Sequence, residues 1–161
     1  MEGNVIIEES SLTAETEEIL IRFSRDWEAE KSCRGYRANT HEDLRDNRVF
    51  LAKENGETVG YLFGHTERSK NASSVMPDQT PFFEAEELYV IPSHRSRGIG
   101  AALFRYAEEK VSAEAEYIML STATKNWKAI LHFYLDELDM TFWNARLYRK
   151  ISPRLRDARE D

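Results

Sequence analysis

The run Glu86-Glu87-Leu88-Tyr89-Val90-Ile91-Pro92-Ser93-His94-Arg95-Ser96-Arg97-Gly98-Ile99-Gly100 concentrates the residues best able to do chemistry. It reads as a strand feeding a helix through a basic, glycine-containing turn. Glycine lets a backbone approach an anion closely, and the first N–H groups of a helix point outward without partners. Arg95 and Arg97 add charge beside the partial positive end of that helix, and His94 offers a further donor. Such a turn suits a diphosphate. The spacing is neither Gly-x-x-x-x-Gly-Lys-Ser/Thr nor Gly-x-Gly-x-x-Gly, which disfavours nucleoside triphosphate and dinucleotide sites. Taken alone, Gly-x-Gly also serves a tight turn with no ligand at all.

The elements around this turn follow from pattern. Asn4–Glu8 carries Val5, Ile6 and Ile7 as a short strand, and Ser10, Ser11 and Thr13 offer capping hydroxyls for a helix running to about Trp27. Lys31–Asn47 shows no sustained period. It reads as a substrate-facing loop with a short helical turn over His41–Arg45. Val49–Lys53 and Thr58–His65 flank Glu54-Asn55-Gly56-Glu57, a hairpin signal. Arg68–Pro81 is polar and reads as a mobile surface loop. Phe82–Val90 is a strand, and the helix from about Gly98 to Glu114 presents Ile99, Leu103, Tyr106 and Ala107 on one face. Tyr117–Ser121 reads as a buried strand, Asn126–Asp136 as a helix, and Thr141–Trp143 with Arg146–Ile151 as a closing pair of strands. This order predicts an α/β fold with a mixed sheet, helices on both faces, and two parallel neighbours from residues 82–121. Residues 1–152 are expected to form one domain and 153–161 a charged tail.

On these residues the chain resembles the GNAT superfamily of N-acetyltransferases. The superfamily signature of Arg or Gln, two residues, Gly, any residue, Gly or Ala is matched by Arg95-Ser96-Arg97-Gly98-Ile99-Gly100. The run Asn126-Trp127-Lys128-Ala129-Ile130-Leu131-His132-Phe133-Tyr134 is similar to its later motif of Asn, Ala and Phe-Tyr on a helix. The first half of the chain matches only in the order of elements. The resemblance implies a GNAT-like, mostly antiparallel central sheet with a parallel pair at its centre, and acetyl-coenzyme A as cosubstrate. It implies that Arg95, Ser96, Arg97, Gly98, Ile99, Gly100 and Ala101 grip the pyrophosphate, and that Leu88, Tyr89 and Val90 pair with the pantetheine arm. A strand bulge near Val90 would supply an amide to polarise the thioester carbonyl. Asn126 would bond the cofactor arm and Tyr134 would protonate the departing thiolate. The family tyrosine falls seven residues after the asparagine, where this chain has Phe133. One extra residue turns a helical position by about 100°, so Tyr134 reaches the site only through a local bulge or a shifted asparagine. Otherwise it packs on the sheet, and Asn126 serves equally well as a helix cap.

Acetyl transfer to an amine needs a base, because an alkyl ammonium with a pKa of about 10.4 must lose a proton before its nitrogen attacks. Strand alternation puts Glu84, Glu86, Leu88 and Val90 on one face and Glu87 and Tyr89 on the other. Glu86 is selected as the base, acting directly or through a water, with Glu84 and Glu87 drawing in the cation; the competing reading has these acids ending a strand in solvent. Diamine acetyltransferases of the superfamily show a similar acidic pair. The expected activity is acetylation of a primary amine on a small cationic substrate, such as a polyamine or an amine-bearing antibiotic. A protein or peptide N-acetyltransferase and a silent acyl-coenzyme A-binding domain are the alternatives.

Composition narrows the remaining classes. The chain has 161 residues, 41 % of them apolar, which suffices for a single core. A net charge of −7 repels phosphate backbones, so nucleic acid is not an expected partner. The apolar stretches are too short to cross a bilayer and the N-terminus is unlike a signal peptide, which predicts a cytoplasmic protein without membrane association. Cys33, the single cysteine, cannot form an internal disulfide and lies far in sequence from every motif, so it is not expected to act as a nucleophile. Four scattered histidines predict no metal site, and His132 reads as packing or surface. A homodimer is left open, and Phe142, Trp143 and Tyr148 are expected in the core rather than at an interface.

Overall fold

Local sequence signals set most element boundaries in the computed structural model, which describes residues 3–152. Strand β1 (Val5–Ser10) leads to α1 (Ala14–Glu30), whose first turn is closed by Thr13, its hydroxyl accepting from the Thr16 N–H at 3.2 Å. Helix α2 (His41–Leu44) begins in a reciprocal capping box between Thr40 and Asp43. Strands β2 (Arg48–Glu54) and β3 (Glu57–Arg68) are joined at Asn55 (φ 51°) and Gly56 (φ 81°), the left-handed pair that a two-residue hairpin uses. After β4 (Pro81–Val90) a single 3-10 turn, Pro92–His94, leads to α3 (Ile99–Val111). Strand β5 (Tyr117–Met119) and α4 (Trp127–Leu131) follow, and α4 runs directly into a π-helical turn, His132–Glu137.

The sheet order is β1-β2-β3-β4-β5, antiparallel throughout except for the parallel pair β4–β5. Alternation along β2 divides the core. Val49 and Leu51 face α1, where they meet Leu20, Ile21, Phe23, Tyr61, Phe63 and Tyr89. Phe50 and Ala52 face α3, packing with Leu62, Phe83, Ala85, Leu103, Phe104 and Ala107. The helices therefore cover opposite faces, as the element order predicts.

Several expectations are corrected. The parallel pair lies at the end of the sheet rather than at its centre, because the strands expected over Thr141–Trp143 and Arg146–Ile151 are not formed. Strand-like alternation becomes a strand only where an edge accepts it, and β5 offers three residues. Phe142, Trp143 and Tyr148 are 52, 43 and 77 % exposed, so none belongs to the core. Strand β5 also stops at Met119, short of Ser121, and its Tyr117 is exposed. The Arg68–Pro81 connection is packed on itself: Ala72 and Met76 are buried against Phe82, and Ser69 and Thr80 exchange hydrogen bonds across it. The tail from Pro153 lies outside the described residues.

Candidate functional site

The site is built where β4 changes its relation to both neighbours. Phe63 pairs with Glu87 but Gly64 pairs with Ala85, which leaves Glu86 as the extra residue of a bulge. Glycine is required opposite it, since a Cβ on residue 64 would come within 2.0 Å of the Glu84 carbonyl oxygen. The bulge is thus at Glu86 and not near Val90, where pairing with β3 is continuous through Gly60↔Val90. It also reverses the alternation. Phe83 and Ala85 face α3, and so do Leu88 and Val90, whereas Glu87 and Tyr89 point to the α1 side. Glu84 and Glu86 therefore do not share one regular face with Leu88, because the extra residue shifts the two-residue period between them.

On its other edge β4 pairs with β5 only from Phe82 to Glu84. Beyond that point the two segments diverge, and a cavity of about 310 Å³ opens between them, at the lower end of ligand-site volumes. Glu86, Leu88, Tyr89, Val90, Arg95, Asn126 and Tyr134 all line it. Two departures from regular helix lie between Asn126 and Tyr134: Asn126 stands outside α4 at φ −92°, ψ 52°, and Tyr134 lies in the π-helical turn, while Phe133 approaches the start of α3 near Gly100. Burial, and secondarily Cys33, push the Tyr134 hydroxyl up to about 12. Asn126 occupies the N-cap position of α4 but its side chain makes no capping bond.

Cys33 lines this cavity as well, an outcome its distance in sequence from the motifs concealed. It is brought there by an isolated bridge to Thr124, in which Arg34 N–H donates to Ala123 O at 3.0 Å and Lys125 N–H to Ser32 O at 2.8 Å.

The turn after β4 enters α3 through a left-handed glycine. Gly98 caps α3 at φ 78°, a conformation glycine adopts without cost, and the first intrahelical bond is Ala102 N–H to Gly98 O. The Ile99, Gly100 and Ala101 N–H groups precede that bond, so they carry the partial positive charge of the helix start. The Ile99 and Ala101 side chains are buried, which leaves their backbone as the available functional part. The basic side chains are engaged. Arg95 forms a two-pronged pair with Glu30 at 2.7 and 3.0 Å, and Arg97 and His94 both bond Glu54, at 2.6 and 2.7 Å. Those contacts hold the Glu54 carboxyl below the usual range, Arg97 contributing most. Ser96 adopts φ 60°.

A second cavity of about 600 Å³ lies on the other side of the bulge, lined by Asn39, Asp43, Asp46, Asn47, His65, Glu86 and Glu87 among others. Glu86 and Glu87 belong to both cavities and mark their junction. The Glu86 carboxylate is partly exposed, 3.7 Å from His65 Nδ1. Glu87 is enclosed and accepts from Tyr61 Oη at 2.7 Å, Tyr36 Oη at 3.2 Å and Asn39 Nδ2 at 3.0 Å. Burial raises its pKa, and the three donors oppose the rise. Glu84 lines neither cavity; burial, then Glu86 and Glu67, raise it to about 7, with His65 opposing. Tyr36 and Asn39 escaped the sequence reading because nothing local marks a loop residue whose partner is 48 or more positions away. His132 pairs with Asp136 on the surface. Among the described residues no group of three or more His, Cys, Asp or Glu side chains is placed to hold a metal ion, and no helix is long and apolar enough to cross a membrane.

Comparison with known proteins identifies the family and the fold. The sequence model of the acetyltransferase (GNAT) family matches residues 15–139. No curated protein matches significantly. Among solved structures, an aminoglycoside acetyltransferase from an uncultured soil metagenomic sample is 20 % identical, with a TM-score of 0.65 over 92 % of this chain and 99 % of its own. An aminoglycoside N-acetyltransferase in complex with CoA is 18 % identical (TM-score 0.60; 91 % of this chain, 100 % of its own). A ribosomal-protein-alanine N-acetyltransferase from Brucella melitensis is 16 % identical (TM-score 0.60; 91 and 99 %). At such identities the likeness establishes the fold.

Proposed function

Since the chain belongs to the acetyltransferase (GNAT) family, we propose that it transfers an acetyl group from acetyl-coenzyme A to a primary amine of a small cationic substrate. The observation that carries this reading is the pair of cavities meeting at Glu86 and Glu87, one along the open edge of β4 and the other rimmed by Asp43, Asp46 and the two glutamates.

The residues fit the cosubstrate. The Ile99, Gly100 and Ala101 amides would hold its diphosphate at the start of α3, with Arg95, Ser96, Arg97 and Gly98 shaping the turn. Leu88, Tyr89 and Val90, on a strand edge that β5 leaves unpaired, would pair with the pantetheine arm, and Asn126 would bond it from across the cavity. When bound, acetyl-coenzyme A supplies the acetyl group as a thioester with a good leaving group. On the acceptor side Asp43, Asp46 and Glu86 attract an ammonium group, and Glu86 takes one proton directly or through a water; the freed lone pair forms the C–N bond as the C–S bond breaks, and the second proton passes to solvent. Tyr134, on the opposite wall, donates a hydrogen bond to the departing sulfur. No covalent bond to the protein is needed, and Cys33 has no role in this scheme.

The test has two stages. Acetyl-coenzyme A is titrated calorimetrically into the protein, and thiol release is then followed with spermidine, an aminoglycoside and short peptides as acceptors. Micromolar binding with turnover on the free amines is the expected result. Turnover on the peptides alone would replace the small amine by a protein substrate, and binding without any turnover would leave a cofactor-binding domain.

A further inference from the structure

Glu87 differs from the other acids of β4 in what surrounds it. Oε2 accepts from Tyr61 at 2.7 Å, Tyr36 at 3.2 Å and Asn39 at 3.0 Å, and Oε1 accepts from the same Asn39 amide at 3.0 Å. Tyr61 belongs to β3, while Tyr36 and Asn39 belong to the connection between α1 and α2. One carboxylate on β4 therefore gathers donors from two other parts of the chain. A proton taken up by Oε2 would have to displace a phenol, which makes this oxygen a poor acceptor for a substrate proton.

The connection it holds walls both cavities: Ser32 and Cys33 face the smaller, Asn39 the larger. Its two ends are anchored differently. The Ser32–Arg34 end is tied by backbone bonds to residues 123 and 125. The Tyr36–Asn39 end is attached to α1, through Asn39 N–H to Ser24 Oγ at 2.9 Å, Ala38 N–H to Glu28 and the Tyr36 ring 4.5 Å from Trp27. Its hydrogen bonds to β4 run through Glu87.

We propose that Glu87 is a positioning residue, whose carboxylate fixes the Tyr36–Asn39 segment against β4 and thereby sets the acceptor wall of the larger cavity while leaving the acetyl side unchanged. The kinetic half of this inference rests on the acetyl-transfer reading; the structural half does not. Glu86 keeps the proton-accepting role, and Glu87 acts through Asn39 and Tyr36.

The test uses the full chain, with Glu87→Gln, Asn39→Ala and the double variant. Asn39→Ala leaves the sheet untouched and serves if Glu87→Gln folds poorly. Amide hydrogen exchange over residues 36–40 is expected to speed up at least tenfold in either variant, a readout needing no ligand. With spermidine or an aminoglycoside as acceptor, KM for the amine should rise about five- to twentyfold. KM for acetyl-coenzyme A and kcat should stay within threefold, and the double variant should be no worse than the worse single one. Unchanged exchange in both variants overturns the proposal whether or not any amine is acetylated. A hundredfold fall in kcat for Glu87→Gln at constant KM, with loss of the acid limb of the pH profile, overturns it too, making Glu87 the proton acceptor. Faster exchange without turnover on any amine sustains the positioning role and rejects the acetyl-transfer reading alone.

Discussion

Replacing Tyr134 by Phe removes one hydroxyl from the smaller cavity and nothing else, and the structure sets the size of the loss. Burial pushes the hydroxyl up to about 12, above a free thiol at about 8.5. Full proton transfer from tyrosine to a departing thiolate would then be uphill. Tyr134 is accordingly expected to act by donating a hydrogen bond to a sulfur that leaves as an anion. Such a bond contributes about 1.5–3 kcal/mol, so kcat should fall about ten- to 150-fold at unchanged KM for the amine, well short of the full range for general acid catalysis. The assay is steady-state thiol release at saturating acetyl-coenzyme A, with the leaving thiol as the reporter. A second variant isolates the π-helical turn. Exchanging the two ring types, as Phe133→Tyr with Tyr134→Phe, restores a hydroxyl one position away, on the face that meets the start of α3. It should not recover activity. A loss below threefold in the single variant, or recovery in the exchanged one, would refute the reasoning.

Other outcomes follow from the same geometry. Gly98→Ala meets no atom within 4 Å but must hold a left-handed conformation, so it should cost about 1–2 kcal/mol in chemical denaturation and bind acetyl-coenzyme A nearly as well. Gly98→Glu, which places a carboxylate at the helix start, should abolish that binding in calorimetry. Glu86→Gln should lower kcat about 10²- to 10⁴-fold at neutral pH without weakening cofactor binding. Glu84 has its folded pKa raised to about 7 above its ordinary value, so the protonated form favours the fold. Its destabilisation is complete above about pH 7 and vanishes as pH falls toward the unfolded value. Glu84→Gln should therefore stabilise the protein at pH 8 by about 1–2 kcal/mol, after allowance for solvent screening, and hardly at pH 4.5, as thermal melts at the two pH values would show.

The legible parts of the fold were those with local causes. Asn55-Gly56 predicts its hairpin because both turn positions need left-handed geometry, and Thr13 predicts the start of α1 through one hydroxyl. The turn at 95–100 is legible for the same reason: its left-handed Gly98 and the start of α3 are set by consecutive residues. The bulge at Glu86 was invisible because it depends on Gly64, a residue of another strand that β4 closely approaches. That one insertion reversed the side assignment of Glu84. The Asn126 to Tyr134 spacing announced a helix irregularity without saying where, and the structure has two, the non-helical Asn126 and the π-helical turn. Cys33 and Asn39 reached the cavities through contacts between distant segments, which no periodicity records. The pattern over 141–151 promised strands and was misleading, since alternation reports suitability for pairing and carries no information on whether an edge is available.

The ion pairs of the turn also bear on selectivity. Glu30 already neutralises Arg95, and Glu54 is shared by Arg97 and His94. An incoming anion thus meets an electrically balanced rim and has to compete with two resident carboxylates before a guanidinium can turn to it. A small stray anion such as inorganic phosphate gains little from that exchange. A ligand that also spans the open edge of β4 and fills the cavity beyond brings further contacts to offset it. If the turn receives acetyl-coenzyme A as proposed, the rim would act as a threshold, admitting molecules by how much of the groove they fill as well as by the charge they carry.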